Sequence, residues 1–170
     1  INDHWDGQWW GMFGDADLSV RAQAWKKYED MWTQIANRYI DYSDRLIFEG
    51  ANEELGERLN DNWKGTGGTK GVLTRKETYA LTNEINQKFV DIVRASGKNN
   101  GKRHLLIAGY NTDIDLTCDK LYKMPADPEN RCAVSVHYYT PVTFAILEKD
   151  ASWGKAQTTW GSEADKKLLT

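Results

Sequence analysis

The residues with the clearest chemical potential lie in the segment 46–53, which reads LIFEGANE. The apolar run 45–48 is typical of a short buried strand, and Asn52 and Glu53 come soon after it. A carboxyl group at the end of a parallel strand can protonate the leaving oxygen of a glycoside, and a neighbouring amide can bind the sugar 2-hydroxyl. The segment therefore indicates glycoside hydrolysis as a candidate chemistry.

The second carboxylate of such a site cannot come from the same segment. Glu49 and Glu53 are separated by a stretch of strand that spans about 13 Å. The two carboxylates of a retaining glycosidase lie about 5–5.5 Å apart, and those of an inverting one roughly 6.5–9.5 Å. The partner must therefore end another strand. Glu49 shares the strand parity of Glu53, and we expect it to form a structural ion pair in the interior.

Other kinds of site lack essential residues. The glycine-rich stretch 65–71 follows no strand, and Lys70 precedes Gly71 rather than Ser or Thr, so this stretch is not a phosphate loop. The acidic stretch 113–119 lacks the glycine and glutamate of a calcium loop. No His or Cys pair has the spacing of a metal site. The sequence therefore predicts neither a metal nor a cofactor.

Composition restricts the partners. The 170 residues carry a net charge of -3 and a pI near 5.6 with no basic stripe, so neither nucleic acid nor a membrane is an expected partner. No run approaches the roughly 20 apolar residues that cross a bilayer. Eight Trp and eight Tyr against four Phe suit sugar rings, although many of these aromatics will be core. Cys118 and Cys132 form either one disulfide or two inert thiols.

Amphipathic helices account for much of the remaining chain. The spacing of Leu18, Trp25, Trp32 and Tyr39 predicts a helix over 17–40 with one buried stripe.

Two further helices are marked by their ends. Thr74 and Glu77 form a capping box that opens a second helix, and Gly97 closes it. Ser162 caps a later helix, with Asp165 at its third position.

Short apolar runs between the helices predict strands. They cover residues 45–48, 104–108 and 132–136. Buried strands that alternate with helices predict an α/β protein with a parallel sheet, either a barrel or a doubly wound sheet. Both architectures place their sites at the carboxyl ends of the strands, where the polar loops of this chain occur.

Three motifs in order give the chain a specific resemblance. His4 lies in a His-Trp-Asp-Gly start, residues 48–53 read FEGANE, and residues 137–141 read HYYTP. This arrangement resembles glycoside hydrolase family five, most of all its subfamily of broad endoglucanases and xyloglucanases. The resemblance implies a partial (β/α)8 TIM barrel, with strands three to six and their helices. Residues 1–170 would then be a single catalytic-domain fragment.

The resemblance also implies site roles. Glu53 would be the general acid/base, and Asn52 would contact the 2-hydroxyl beside the bond to be cut. His4 would lie in the sugar-binding cleft. His137 and Tyr139 would form hydrogen bonds around the catalytic carboxylates, with Tyr139 close to the nucleophile.

Aromatic side chains in predicted loops are candidates for stacking on glucose rings. They are Trp9, Trp10, Trp63, Trp153 and Trp160, of which we favour Trp10 and Trp160.

The chain also departs from the family pattern. Glu54 stands where the family usually has Pro, so the loop after this strand can run differently. The family nucleophile is a Glu that ends strand seven, and Thr170 precedes that position. Because a complete barrel takes about 250 residues, we expect the chain to work with the remainder of its own barrel or with a second copy, and to be inactive alone.

For the intact enzyme the resemblance implies a retaining endo-β-1,4-glucanase that acts by double displacement without a cofactor. The substrate would be a β-glucan: cellulose, mixed-linkage glucan or xyloglucan. The expected location is secreted, cell-surface or periplasmic, of bacterial type. The alternative is a non-catalytic glucan-binding module, which the presence or absence of a strand-seven Glu would distinguish.

Overall fold

The structure, a computed structural model, describes residues 1–4, 9–63 and 70–169. The chain divides into two compact units, Ile1–Val136 and His137–Thr170. The first unit contains helices α1 (Leu18–Arg38), α2 (Arg75–Ser96) and α3 (Ile114–Thr117), and strands β1 (Phe48–Glu49), β2 (Leu105–Ala108) and β3 (Cys132–Ser135). Short 3-10 turns occur at Trp9–Gly14, Glu57–Asn60, Lys98–Gly101 and Tyr110–Thr112.

The three strands form one parallel sheet in the order β1-β2-β3. Phe48 pairs with Leu105, and the next pair of strands aligns Leu105 with Cys132. Ile1 extends this pattern on the other side of β1, because its amino group donates to Ile47 O at 3.0 Å and its carbonyl accepts from Glu49 N at 2.9 Å. These are the hydrogen bonds of a parallel ladder. The carboxyl ends of all these segments therefore point to one edge.

The first two helices cover one face of the sheet. In α1 the buried residues recur every four positions, at Ala24, Tyr28, Trp32 and Ala36. Leu18 is 73% exposed, because it lies about 120° around the helix from Ala24. The predicted stripe is therefore wrong at its first residue.

The predicted ends of the second helix are confirmed. Thr74 and Glu77 form the capping box that opens α2, and Gly97 adopts a φ of 75° at its end. Ile85 and Phe89 of α2 lie fully buried, and the ring centroid of Phe89 lies 4.5 Å from that of Trp32.

A buried arginine explains why β1 is shorter than predicted. Arg103, which precedes β2, is 0% exposed, and its guanidinium lies 4.5 Å from the Phe48 ring centroid. It donates hydrogen bonds to four main-chain carbonyls and one amide oxygen: those of Tyr39, Tyr42, Ser43 and Leu46, and Oδ1 of Asn100. The Leu46 carbonyl thus bonds to a side chain instead of a neighbouring strand, so residues 45 and 46 stay outside the ladder.

A second arginine acts at the same amino-terminal edge of the sheet. Arg94 of α2 donates from Nε and Nη2 to the two carboxylate oxygens of Asp127, at 2.8 and 2.9 Å. The side chains are 11% and 4% exposed. Cys132 donates from Sγ to the same carboxylate at 3.3 Å. Cys132 and Cys118 are both free thiols in the structure.

The second unit is small. It contains α4 (Val142–Ala145), α5 (Glu163–Lys166) and a 3-10 turn, Lys167–Leu169. Ser162 and Asp165 form a capping box at the start of α5, which confirms the predicted helix start.

Helices α1 and α2 are long enough to span a bilayer, but both carry polar faces. Among the residues that the structure describes, no helix is apolar enough for a membrane span.

Candidate active site

Asn52 and Glu53 lie in the loop that leaves the carboxyl end of β1. Asn52 is 5% exposed, whereas the Glu53 side chain is 21% exposed and so remains open to a ligand. Arg58 Nη2 lies 3.6 Å from Glu53 Oε2, and the Arg58 side chain is 45% exposed. Arg58 and Glu53 thus form a long ion pair at the surface of this loop.

The start of this loop is fixed by close packing at Gly50. Its carbonyl accepts hydrogen bonds from Tyr28 OH at 3.1 Å and Trp32 Nε1 at 3.2 Å, both buried on α1. A Cβ at Gly50 would lie 2.9 Å from Cδ1 of Phe89 on α2. Only glycine lets the main chain pass between these two helices. The loop therefore starts from a rigid point.

The end of the loop is fixed by α2 and by the loop after β2. Gly56 has a φ of 99°, and its N–H donates to Thr82 Oγ1 at 3.1 Å. Asn111 donates from its main chain to Leu55 O at 3.1 Å, and its Oδ1 accepts from Glu57 N at 2.8 Å. Asn111 itself has a φ of 53°, a conformation that Asn tolerates better than most residues.

Glu54 bridges the middle of the loop. Its side chain is buried, and Oε2 accepts a 2.7 Å hydrogen bond from Asn52 N. The residue that departs from the family pattern thus forms a hydrogen bond within the loop.

Glu49 forms hydrogen bonds in place of the ion pair that we predicted. Oε1 accepts from Ser135 Oγ at 2.8 Å, and Oε2 accepts from Asn2 Nδ2 at 3.0 Å. Ser135 ends β3, so the carboxylate links alternate strands on the face away from the helices. Among the described residues, the hydrogen-bond partners of Glu49 are therefore uncharged side chains.

His4 is exposed and follows the segment that pairs with β1. Because Ile1 lies opposite Phe48 in a parallel ladder, the chain leads His4 to the same sheet edge as Glu53. The remaining residues of its motif, 5–7, lie outside the described residues.

Trp10 does not fit a sugar-stacking role. It lies in the 3-10 turn Trp9–Gly14 rather than in a loop, and it is 3% exposed. Its ring stacks on Trp9 with centroids 4.6 Å apart, and its Nε1 donates to Asp3 Oδ2 at 3.2 Å. Trp9 is also buried, while Trp63 is half-buried and donates to Asp15 Oδ2 at 2.8 Å. The preference for Trp10 is therefore wrong, because core packing occupies its faces.

The other predicted binding residues belong to the second unit. His137 and Tyr139 are neighbours there, with ring centroids 6.1 Å apart and planes at 87°. Tyr139 is exposed, as are Trp153 at 61% and Trp160 at 39%. Within this unit, aromatic faces are thus open to solvent.

The structure offers no built metal site in the ranges that it describes, since no group of three or more His, Cys, Asp or Glu side chains converges there. In the acidic stretch, Asp113 caps α3 through Leu116 N at 2.8 Å, and Asp119 lies 3.3 Å from Arg75. The glycine-rich residues 64–69 lie outside the described residues.

Sequence reasoning missed three residues of the site. Arg58, Glu54 and Asn111 all contact the loop that carries Glu53. Arg58 lies beyond the i,i+3 and i,i+4 spacings of helical ion pairs from Glu53, and Glu53 is not on a helix, so its charge gave no specific signal. Asn111 is remote in sequence, and only its tendency toward a positive φ marked it.

Comparison with known proteins gives one consistent result. The model of the cellulase family, glycosyl hydrolase family 5, matches residues 1–169. The chain is 36% identical over 163 residues to a xyloglucan-specific endo-beta-1,4-glucanase, BoGH5A, from Bacteroides ovatus. This match covers 95% of the chain and 29% of the relative.

Solved structures agree. A Bacteroides ovatus GH5 xyloglucanase in complex with a XXXG heptasaccharide has a TM-score of 0.69 at 36% identity, covering 95% of this chain and 32% of that one. A GH5-4 broad specificity endoglucanase from Ruminococcus champanellensis with bound cellotriose has a TM-score of 0.71 at 28% identity, covering 99% and 43%. The chain thus spans less than half the length of each of these relatives. The likeness confirms the predicted partial (β/α)8 barrel over a doubly wound sheet.

Proposed function

Because the chain belongs to glycosyl hydrolase family 5, the cellulase family, we propose that it is the acid/base-bearing part of a retaining endo-β-1,4-glucanase. The placement of Asn52 and Glu53 carries the proposal. Both residues lie on a loop anchored at each end, at the carboxyl edge of a parallel sheet, which is the active face of a barrel. Glu53 is open to a ligand and Asn52 lies beside it.

The proposed reaction is double displacement. Glu53 protonates the leaving oxygen while a second carboxylate, supplied by a strand outside this chain, attacks the anomeric carbon. Glu53 then removes a proton from the water that releases the sugar.

We assign glucan contacts to both units. Asn52 binds the 2-hydroxyl next to the cleaved bond, and His4 lies in the cleft. In the second unit His137 and Tyr139 bind glucan, and the exposed face of Trp160 stacks on a glucose ring. The substrate is a β-glucan: cellulose, mixed-linkage glucan or xyloglucan. Since such polymers do not enter cells intact, the enzyme works as a secreted or surface protein of bacterial type.

The proposal requires further strands. Ile1 and β3 lie at the two sides of the described sheet, and an open sheet edge pairs readily with other strands. The segment 1–170 is then one fragment of a catalytic domain whose remaining strands close the barrel and bring the nucleophile. We expect the 170-residue chain alone to leave cellotetraose uncleaved.

The decisive experiment uses the complete barrel, with this chain joined to the flanking segments of its encoding polypeptide. Glu53→Gln should lower hydrolysis of mixed-linkage glucan about 10²-fold or more while oligosaccharide binding, measured by calorimetry, is retained. Product released by the unchanged enzyme should keep its β-configuration when followed by proton NMR.

Glu57→Gln is the matched control, since Glu57 is an exposed carboxylate in the same loop. Full activity of Glu53→Gln would disprove the acid/base role. Oligosaccharide binding without any hydrolysis by the unchanged complete barrel would instead indicate a glucan-binding module. Cleavage of cellotetraose by the 170-residue chain would show that no outside nucleophile is needed.

A further inference from the structure

We propose that Glu54 is a positioning residue, whose buried carboxylate fixes the main chain that presents Glu53. This inference rests on the proposed function, because orientation of Glu53 matters only if Glu53 transfers protons to and from the substrate. It adds a residue that the proposed mechanism does not use.

The side chain of Glu54 reaches back past Glu53 to the main chain of Asn52. Glu54 is 7% exposed, and its Oε2 accepts from Asn52 N at 2.7 Å within the protein interior. The bond joins the residue after Glu53 to the residue before it, so it closes a ring that includes the main chain of Glu53. At 2.7 Å this bond lies at the short end of the range for N–H···O hydrogen bonds. Rotation about the Glu53 backbone is thereby restricted.

The other anchors described above act before and after this position. Tyr28 and Trp32 hold Gly50, which precedes the catalytic pair. Thr82 and Asn111 hold the residues that follow Glu54. The bond from Glu54 acts between these two anchor points, on Asn52 itself.

The energetics also favour a positioning role. Burial of a carboxylate costs several kcal/mol unless its hydrogen bonds are well made, and an apolar side chain of similar size often stabilises a fold as well or better. A carboxylate in this place is therefore explained more simply by the geometry that it imposes than by stability.

The test compares leaving groups in the complete barrel. A phenyl β-cellotrioside needs protonation of its leaving oxygen, whereas a 2,4-dinitrophenyl β-cellotrioside needs little. Glu54→Met keeps the length of the side chain but removes the acceptor. Because a misplacement of about 1 Å can cost about 10²-fold, we expect kcat/KM of this variant to fall about 10–100-fold on the phenyl substrate and far less on the dinitrophenyl substrate. Glu54→Gln, which keeps an acceptor oxygen, should recover most of the loss.

Two controls make the result specific. Glu57→Met removes an exposed carboxylate from the same loop and should leave both rates unchanged. If Glu54→Met does not fold, Glu54→Asp replaces it, because the shorter carboxylate keeps its charge but loses its reach to Asn52 N. Unchanged rates, or equal losses on both substrates, would overturn the inference.

Glu53→Gln, measured in parallel, separates this inference from the function on which it rests. If Glu53→Gln shows the leaving-group dependence and the Glu54 variants do not, only the role of Glu54 is refuted. If Glu53→Gln hydrolyses the phenyl substrate at the unchanged rate, the acid/base assignment itself fails.

Discussion

Replacement of Arg103 with methionine tests whether the amino-terminal edge of the sheet depends on one buried guanidinium. Methionine matches the length of the arginine stem but has no donors. Arg103 is fully buried and donates five hydrogen bonds, four of them to main-chain carbonyls before β1. The substitution therefore removes every one of these donors at once.

The expected cost follows from which acceptors have a second donor. Tyr39 O also accepts from Tyr42 N, Ser43 O from Leu46 N, and Tyr42 O from Asn99 Nδ2. For Leu46 O and Asn100 Oδ1, the structure describes Arg103 as the donor and describes no second one. The acceptor at Asn100 is buried and the Leu46 carbonyl is part-buried. At about 1–3 kcal/mol for each lost partner, we expect a loss of about 2–6 kcal/mol in the free energy of unfolding.

Urea unfolding of the complete barrel, followed by tryptophan fluorescence, measures this loss. Arg45→Met is the matched control, because Arg45 lies in the same turn but is exposed, and we expect a change within about 0.5 kcal/mol. A loss for Arg103→Met no larger than that of the control would refute the reasoning that these carbonyls depend on Arg103.

Three further predictions concern the core. The Arg94 guanidinium holds the pKa of the Asp127 carboxylate well below its usual range. The pair therefore stabilises the fold above about pH 4, and this stability is lost as the pH falls further. Below pH 4 the Tm of Asp127→Asn should therefore change less with pH than the Tm of the unchanged protein. Burial raises the pKa of the Cys132 thiol to about 12, so iodoacetamide at about pH 8 should modify exposed Cys118 alone, and two adducts on the folded protein by mass spectrometry would contradict this. Gly50→Ala would place a Cβ 2.9 Å from a ring carbon of α2, and we expect about 1–3 kcal/mol of destabilisation in urea together with a lower kcat; an unchanged kcat would show that the loop can shift without harm.

The elements that could be predicted from the sequence are those whose signals are local. The capping box of Thr74 and Glu77 lies within one helical turn, and its hydrogen bonds are present as expected. The apolar runs of β2 and β3 could be located from composition, although only β2 is mostly buried, whereas Val134 of β3 is 37% exposed.

The features that escaped prediction depend on contacts between distant residues. The length of β1 is set by Arg103, which lies more than 50 residues later and bonds to the Leu46 carbonyl. Trp10 lies in a buried turn, where its ring stacks on Trp9 and its Nε1 donates to Asp3. Glu49 bonds to Ser135 on β3, a pairing that requires knowledge of the strand order.

The candidate site shows the same division. The position of Asn52 and Glu53 beyond the end of a strand could be predicted, because both residues follow an apolar run closely in the sequence. Arg58, Glu54 and Asn111 could not, since their roles arise from loop geometry that a single sequence does not display.

The different chemistry at the two edges of the sheet has a consequence for evolution and for protein design. At the amino-terminal edge, Arg103 and Arg94 bind the main chain itself, so almost any replacement there removes support from several segments together. At the opposite edge, we expect an exposed residue such as Glu57 to be exchangeable while the scaffold stays folded. Mutant libraries that explore the proposed glucan site should therefore vary exposed positions near Glu53 and leave the two arginines as they are.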